Sequence, residues 1–255
     1  MAVIGLDHFA EFFRGFGDCY TVIGGTACDI LMSAYSTRTF RATKDLDMIV
    51  LMEDRFEEFA VRFWQYIREG GYTCGWKKDT DPHFYRFTEP KEGYPKQIEL
   101  FSRKPEYHLQ ADVPVIPLHI DDDVSSLSAI LLDDDFYDFM MSGRTELRGI
   151  SILQAAYLIP FKMYAWLNLR QEKAQGHAVN DRDLRKHKND VFQLMAIVPE
   201  GTHIQVWGHV EDAVERFVTE IRGENIVFRD LGIDSTMDTE LKAVRELFGI
   251  QEQGA

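Results

Sequence analysis

The stretch RATKDLDMIVL, residues 41–51, places two carboxylates at the head of an apolar run that is typical of a buried strand. Side chains alternate between the faces of a strand, so Asp45 and Asp47 share one face and Leu46 lies on the other. Two like charges this close favour a bound cation, and Mg²⁺ prefers carboxylate oxygens together with phosphate and water. Such a pair also occurs at solvent-exposed strand starts, so the pair alone leaves both interpretations open.

A strand, a glycine turn and a helix precede this stretch. The apolar run 20–23 ends in Gly24-Gly25, and residues 26–34 show helical spacing. The turn is either a plain tight turn or an anion site, because the N-terminus of a helix presents free backbone N–H groups. We expect strand 20–23 to lie beside the strand of Asp45 and Asp47, with the glycine turn at the same edge of the sheet.

A third acid, Glu99, lies between apolar neighbours in the predicted strand 97–101. An unpaired charge there would cost several kcal/mol, so a partner is expected. A salt bridge to Arg86 or Arg103 would supply that partner, and so would a metal site shared with the two aspartates. The sequence leaves both alternatives open.

The pattern along the chain predicts an α+β fold. Before residue 150, strands alternate with helices, and the predicted elements are an amphipathic helix over 55–69, adjacent strands over 83–87 and 97–101, and a strand over 113–120. From residue 151 onward helical spacing dominates, over 152–169, 183–197, 210–221 and 239–248. We therefore expect a mixed β-sheet domain flanked by helices over 1–150, and a C-terminal helical bundle over 151–255 that closes one side of the cleft.

Two acidic triplets, residues 121–123 and 133–135, raise the question of a metal site. Consecutive side chains on extended backbone point to opposite faces, which disfavours joint coordination. We therefore predict solvated turns at both triplets.

Composition and missing motifs narrow the class of protein. The 28 basic and 42 acidic residues give a net charge of −14, which opposes indiscriminate binding to nucleic acid. The three cysteines form no CxxC pair, which is typical of a reducing cytoplasm. The sequence has no apolar run of about 18 residues, the length that a membrane-spanning helix needs. We therefore expect a cytoplasmic protein that is not inserted in a membrane. No P-loop, Rossmann or zincin motif is present. The one basic cluster, at Arg182, Arg185, Lys186 and Lys188, is either a phosphate or tRNA contact or a solvated helix face.

The glycine turn followed by RATKDLDMIV resembles the nucleotidyltransferase superfamily with the polymerase-β-like fold. The signature of that superfamily is a glycine followed by glycine or serine, then a strand with two acidic residues separated by one apolar residue. A third acidic residue follows on a later strand. The TxDLD form is most similar to the AbiEii type of bacterial abortive-infection and toxin nucleotidyltransferases. The resemblance spans residues 20 to 195. Where many members have Gly-Ser, this chain has Gly24-Gly25, with the nearest hydroxyl at Thr26.

The resemblance implies a nucleotidyltransferase-type fold and a Mg²⁺-dependent enzyme, with Mn²⁺ as an alternative ion, that transfers NMP from an NTP to an acceptor. The acceptor would be a tRNA, a protein or a small molecule, and a cognate antitoxin is an implied partner. Asp45, Asp47 and Glu99 would be the catalytic metal ligands. The implied nucleotide-binding residues are Gly24, Gly25, Thr26, Lys44, Lys162, Lys188 and Asp190.

A second hypothesis has the same fold without turnover. In it the chain keeps a nucleotide pocket or a partner surface but is catalytically inactive. The Gly-Gly-Thr variation and the net charge favour this alternative, whereas the clustered carboxylates favour the enzyme, because an inactive site has no electrostatic reason to keep them.

Overall fold

A computed structural model describes residues 3–37, 40–51, 55–74, 85–101 and 133–251. These residues fall into two compact units. The first contains the described residues up to 101 together with Arg144–Leu153, and the second contains residues 133–143 and 154–251. The domain division near residue 150 stays a prediction. The predicted strand 113–120, Arg103 and the triplet 121–123 lie outside the described residues.

The first unit contains a seven-stranded mixed sheet among its described residues. The strands are β1 (Tyr20–Ile23), β2 (Asp45–Val50), β3 (Thr73–Cys74), β4 (Tyr85–Thr88), β5 (Gln97–Phe101), β6 (Arg144–Leu147) and β7 (Ile150–Leu153). Their order is β3-β4-β5-β2-β1-β7-β6. The pairs β5/β2 and β1/β7 are parallel, and the other neighbours are antiparallel. The predicted neighbours β1/β2 and β4/β5 are thus confirmed.

Three helices accompany the described strands of the first unit: α1 (Leu6–Phe12), α2 (Gly24–Tyr35) and α3 (Phe56–Gly70). All four residues of β1 are buried, and so are nine residues of α2, so both belong to the core. The amphipathic helix α3 ends where the sequence predicts, because Gly71 adopts a left-handed conformation and closes the last turn.

The second unit is helical over its described residues. Its helices are α4 (Asp134–Ser142), α5 (Ala155–Ala174), α6 (Asp181–Met195), α7 (Gly208–Glu220) and α8 (Met237–Phe248). Two short 3₁₀ turns lie at Ile221–Gly223 and Phe228–Leu231. The α+β fold, with a mixed sheet and a helical second half, is therefore confirmed. No helix among the described residues has both the length and the apolar character needed to cross a bilayer.

Two local predictions were wrong. The helix predicted over 152–169 begins at Ala155, because Ile150–Leu153 form strand β7. All four residues of β7 pair with β6, and Ile152 also pairs in parallel with Val22 of β1. A short apolar run has no periodicity that separates strand from helix, so these pairings decide its structure. Residues 133–135 begin helix α4 and do not form a turn: the carboxylate of Asp133 accepts hydrogen bonds from two backbone N–H groups and caps the helix.

Candidate functional site

A row of polar side chains crosses the middle of the sheet. On β2, Asp47 lies opposite Ile23 of β1 and opposite Glu99 of β5. Asp45, two residues earlier on the same face, lies opposite Gln97. Directly paired residues of neighbouring strands point to the same side of a sheet. The register therefore places all three predicted catalytic acids, Asp45, Asp47 and Glu99, on one face.

The glycine turn lies against this row. Gly24 has φ +67° and begins α2 directly after β1. A Cβ atom at Gly24 would overlap Asp47 Oδ2, and one at Gly25 would lie 2.8 Å from Thr43 Oγ1. Only glycine fits this approach, so the Asp47 carboxylate lies at the first turn of α2, near its positive end. The predicted proximity of the glycine turn and the carboxylates is confirmed.

Thr26 and Lys44 border the row. Thr26 is fully buried, and its hydroxyl donates a hydrogen bond to the backbone carbonyl of Asp45. That bond ties the first turn of α2 to the start of β2. Lys44 immediately precedes β2 and is exposed to solvent.

Glu99 has the salt bridge that the sequence left as one alternative. Its Oε1 accepts hydrogen bonds from Arg86 Nε at 2.6 Å and from Gln97 Nε2 at 2.7 Å. The Glu99 residue is 7% exposed, so these two donors compensate a buried charge and fix the orientation of the carboxylate. The salt bridge and a role in a metal site are compatible, because the residue opposite Glu99 on β2 is Asp47.

The donor atoms of this row suit magnesium. Asp45 and Asp47 offer hard carboxylate oxygens from one face of one strand, and Glu99 adds a third carboxylate from the next strand. Mg²⁺ in proteins is bound through one or two carboxylates together with water and phosphate oxygens. The residues present therefore fit the ion that the sequence implies.

In the second unit, Lys162 and Asp190 form a buried ion pair. Lys162 Nζ of α5 lies 2.9 Å from Asp190 Oδ2 of α6, and the two residues are 4% and 0% exposed. The resemblance implied that both residues bind nucleotide, and the sequence did not anticipate that they pair with each other. The sequence signal that could have suggested it is a lysine surrounded by apolar residues, which needs a counter-charge.

Lys188 does not pair with Asp190, although both lie on α6. Its Nζ lies 2.7 Å from Glu224 Oε2 and 3.3 Å from the carbonyl oxygen of Asn225. Residues two apart on a helix face different directions, so one helix sends these two charges to different partners.

The acidic triplet 133–135, which the sequence predicted to be a solvated turn, lies at the start of α4 beside a histidine that the sequence did not single out. Asp133, Asp135 and His209 each offer a metal-ligand atom, and these atoms lie within 4.8 Å of one another. The hydrogen bond and the charge of Asp133 raise the pKa of His209. No local spacing joins His209 to residues more than 70 positions earlier, so only the fold could reveal this group.

Comparison with solved structures found similarity to an antigenic nucleotidyltransferase-like protein from Paracoccidioides brasiliensis. That protein is 16% identical to this chain, with a TM-score of 0.48, and the match covers 95% of each chain. No protein-family model and no curated protein matches the chain. The structural likeness is too distant to transfer a role to any residue here.

Proposed function

We propose that the chain is a magnesium-dependent nucleotidyltransferase that moves NMP from an NTP to a hydroxyl or phosphate group of an acceptor and releases pyrophosphate. One observation carries the proposal: the strand register that sets Asp47 between the Gly24 turn and Glu99, with Asp45 on the same face. Carboxylates for a cation and a helix N-terminus for an anion then share one place, which is what a metal–triphosphate complex requires.

Each residue of the row has a role in this proposal. Asp45 and Asp47 hold the metal, which when bound supplies positive charge to the transferring phosphoryl group. Glu99, oriented by Arg86 and Gln97, completes the site and accepts the proton of the acceptor hydroxyl. The backbone N–H groups of the glycine turn bind phosphate oxygens. Catalysis is then positioning and charge stabilisation.

The proposed nucleotide contacts in the second unit rest on the resemblance alone. Lys162 would neutralise triphosphate charge while Asp190 holds its amine in place. Lys188 already binds Glu224 and Asn225, so a phosphate would have to replace these partners. The proposed contacts of Thr26 and Lys44 likewise rest on the resemblance.

The similarity of the TxDLD stretch to AbiEii-type proteins extends the proposal. It suggests a toxin or phage-defence activity in the cytoplasm, a cognate antitoxin as partner, and a tRNA, a protein or a small molecule as acceptor. Incubating the protein with each labelled NTP, Mg²⁺ or Mn²⁺, and each acceptor class in turn would identify the reaction.

Asp47→Asn tests the function. The substitution keeps size and shape but removes one carboxylate, so metal-dependent transfer should fall by at least about 100-fold. The stabilisation by Mg²⁺ with NTP should disappear, while the metal-free protein keeps its Tm or gains slightly, because repulsion between the acids is relieved. Asp7→Asn, at a side chain that is 89% exposed, is the matched control and should behave as the parent. Parental transfer by Asp47→Asn would refute the proposal.

The catalytically inactive binding module is the second candidate. The hydroxyl of Thr26 favours this candidate, because it donates a hydrogen bond to the backbone carbonyl of Asp45. In the family that the sequence resembles, the serine hydroxyl of the Gly-Ser form contacts the nucleotide phosphate instead. Calorimetric titration with each NTP and Mg²⁺ distinguishes the two candidates. Binding of an NTP without transfer to any acceptor class would favour the module.

A further inference from the structure

The N-terminal ends of α4 and α7 meet at Asp133, Asp135 and His209. Asp133 Oδ2 contacts His209 Nδ1, and Asp135 Oδ2 accepts a hydrogen bond of 3.0 Å from the backbone N–H of His209. Three ligand atoms from two helices, distant in sequence, thus lie within 4.8 Å of one another. This group belongs to the second unit, whereas the acids of the proposed function belong to the first.

The two carboxylates are held in place by the backbone. Asp133 Oδ1 accepts hydrogen bonds from the N–H groups of Asp135 and Phe136, at 3.0 and 3.2 Å, which directs Oδ2 toward His209. Gly208 has φ +52°, and a Cβ atom there would overlap Asp135 Oδ2. The carboxylate of Asp135 can therefore lie directly against the start of α7. Ligands held in this way lose little freedom when an ion binds.

A pocket of about 380 Å³ opens beside the group. Its lining consists of Asp133, Tyr164, His209, Asp212, Ala213, Glu215 and Arg216. The negative charge of four carboxylates, those of Asp133, Asp135, Asp212 and Glu215, exceeds the positive charge of Arg216 and the two helix N-termini together. Each helix N-terminus carries roughly half an elementary charge. The pocket thus has the volume and the negative charge to admit a hydrated cation.

We propose that Asp133 Oδ2, Asp135 Oδ2 and His209 Nδ1 bind a divalent transition-metal ion of the Zn²⁺ class, with water from the pocket completing the coordination. An imidazole nitrogen among the ligands favours such an ion over Mg²⁺, which prefers oxygen ligands only. Binding displaces the proton between His209 and Asp133 to solvent. The ion would join the starts of α4 and α7.

Competition with a chromophoric chelator measures this binding, using Zn²⁺ on the full chain without nucleotide. We expect one equivalent of Zn²⁺ to bind, and Co²⁺ to show ligand-field bands at the same stoichiometry. His209→Gln and, separately, Asp133→Asn should each weaken the affinity at least about tenfold. Asparagine is also a good helix cap, so Asp133→Asn preserves the start of α4. His177→Gln is the matched control, because His177 is exposed on the same unit.

The proposal would be overturned by the absence of saturable Zn²⁺ binding or by unchanged affinity in both site variants. An equal loss of affinity in His177→Gln would also overturn it, because that result indicates adventitious binding to surface histidines. Displacement of Co²⁺ by Mg²⁺ at similar concentration would also contradict it. The measurement needs no nucleotide transfer, so its outcome is independent of the proposed enzyme activity.

Discussion

Gly24 meets two constraints at once, a positive φ and the close approach of Asp47. Gly24→Ala should cost about 1–2 kcal/mol in backbone strain and about 1–3 kcal/mol more from the overlap with the carboxylate. Gly15→Ala is the matched control, because Gly15 has φ +84° and open space around its Cβ position. Chemical denaturation should therefore show the larger loss of stability for Gly24→Ala. Equal losses of stability in the two variants would contradict the close contact between the Asp47 carboxylate and Gly24.

Cys19 is buried, and this burial, aided by the carboxylate of Asp18, raises the pKa of its thiol to about 12. An ordinary thiol, with a pKa of about 8.5, is largely ionised at pH 9. We expect iodoacetamide to label Cys19 slowly at that pH in the folded protein and quickly in denaturant, as measured by peptide mass spectrometry. Equal rates in both states would contradict the burial.

The same raised pKa has a consequence for stability. Below the unfolded pKa the thiol is protonated in both states, and its contribution to stability is complete. As pH rises from the unfolded pKa toward the folded pKa, the unfolded state loses its proton first, and the contribution is lost. The free energy of unfolding should therefore fall above about pH 8.5, and Cys19→Ala should reduce this fall.

At the scale of elements, the Lys162–Asp190 pair joins α5 to α6. Lys162→Met leaves a buried carboxylate without its lysine, and breaking such a pair costs about 3–5 kcal/mol. Adding Asp190→Leu should recover much of that loss, because the remaining buried charge is removed. Urea unfolding of both single variants and the double variant measures the coupling.

The exposed pair Lys242–Glu246, with its charged atoms 3.7 Å apart, provides the control. Lys242→Met should change stability by about 0–1 kcal/mol. If the double variant at 162 and 190 loses the sum of the single losses, the two residues are not energetically coupled. That result would contradict the ion pair as a link between the helices.

At the scale of the whole molecule, the net charge of −14 determines how strongly the protein binds polyanions. Non-specific binding to nucleic acid depends on clustered cations, and a strongly acidic surface opposes it. We expect fluorescence anisotropy to show no saturable binding of random-sequence RNA, even at low ionic strength. Tight, salt-dependent binding that Arg182→Gln or Arg185→Gln weakens would instead assign these two exposed arginines of α6 to RNA contact.

The sequence by itself determined the elements whose pattern is local and strong. Tyr20–Ile23 and Gly70-Gly71 are examples, because a short apolar run bounded by glycine and a helix ending in glycine are properties of neighbouring residues. The alternation in Asp45-Leu46-Asp47 likewise places both acids on one face of a strand, whichever strands lie beside it.

Only the tertiary structure decided which distant residues meet. The sequence left the partner of Glu99 open, and the register of β4 against β5 selected Arg86. The parallel pairing of Ile152 with Val22 and the contact of His209 with Asp133 each join residues more than 70 positions apart. Such pairings depend on how whole elements pack, since no spacing within one element encodes the position of another.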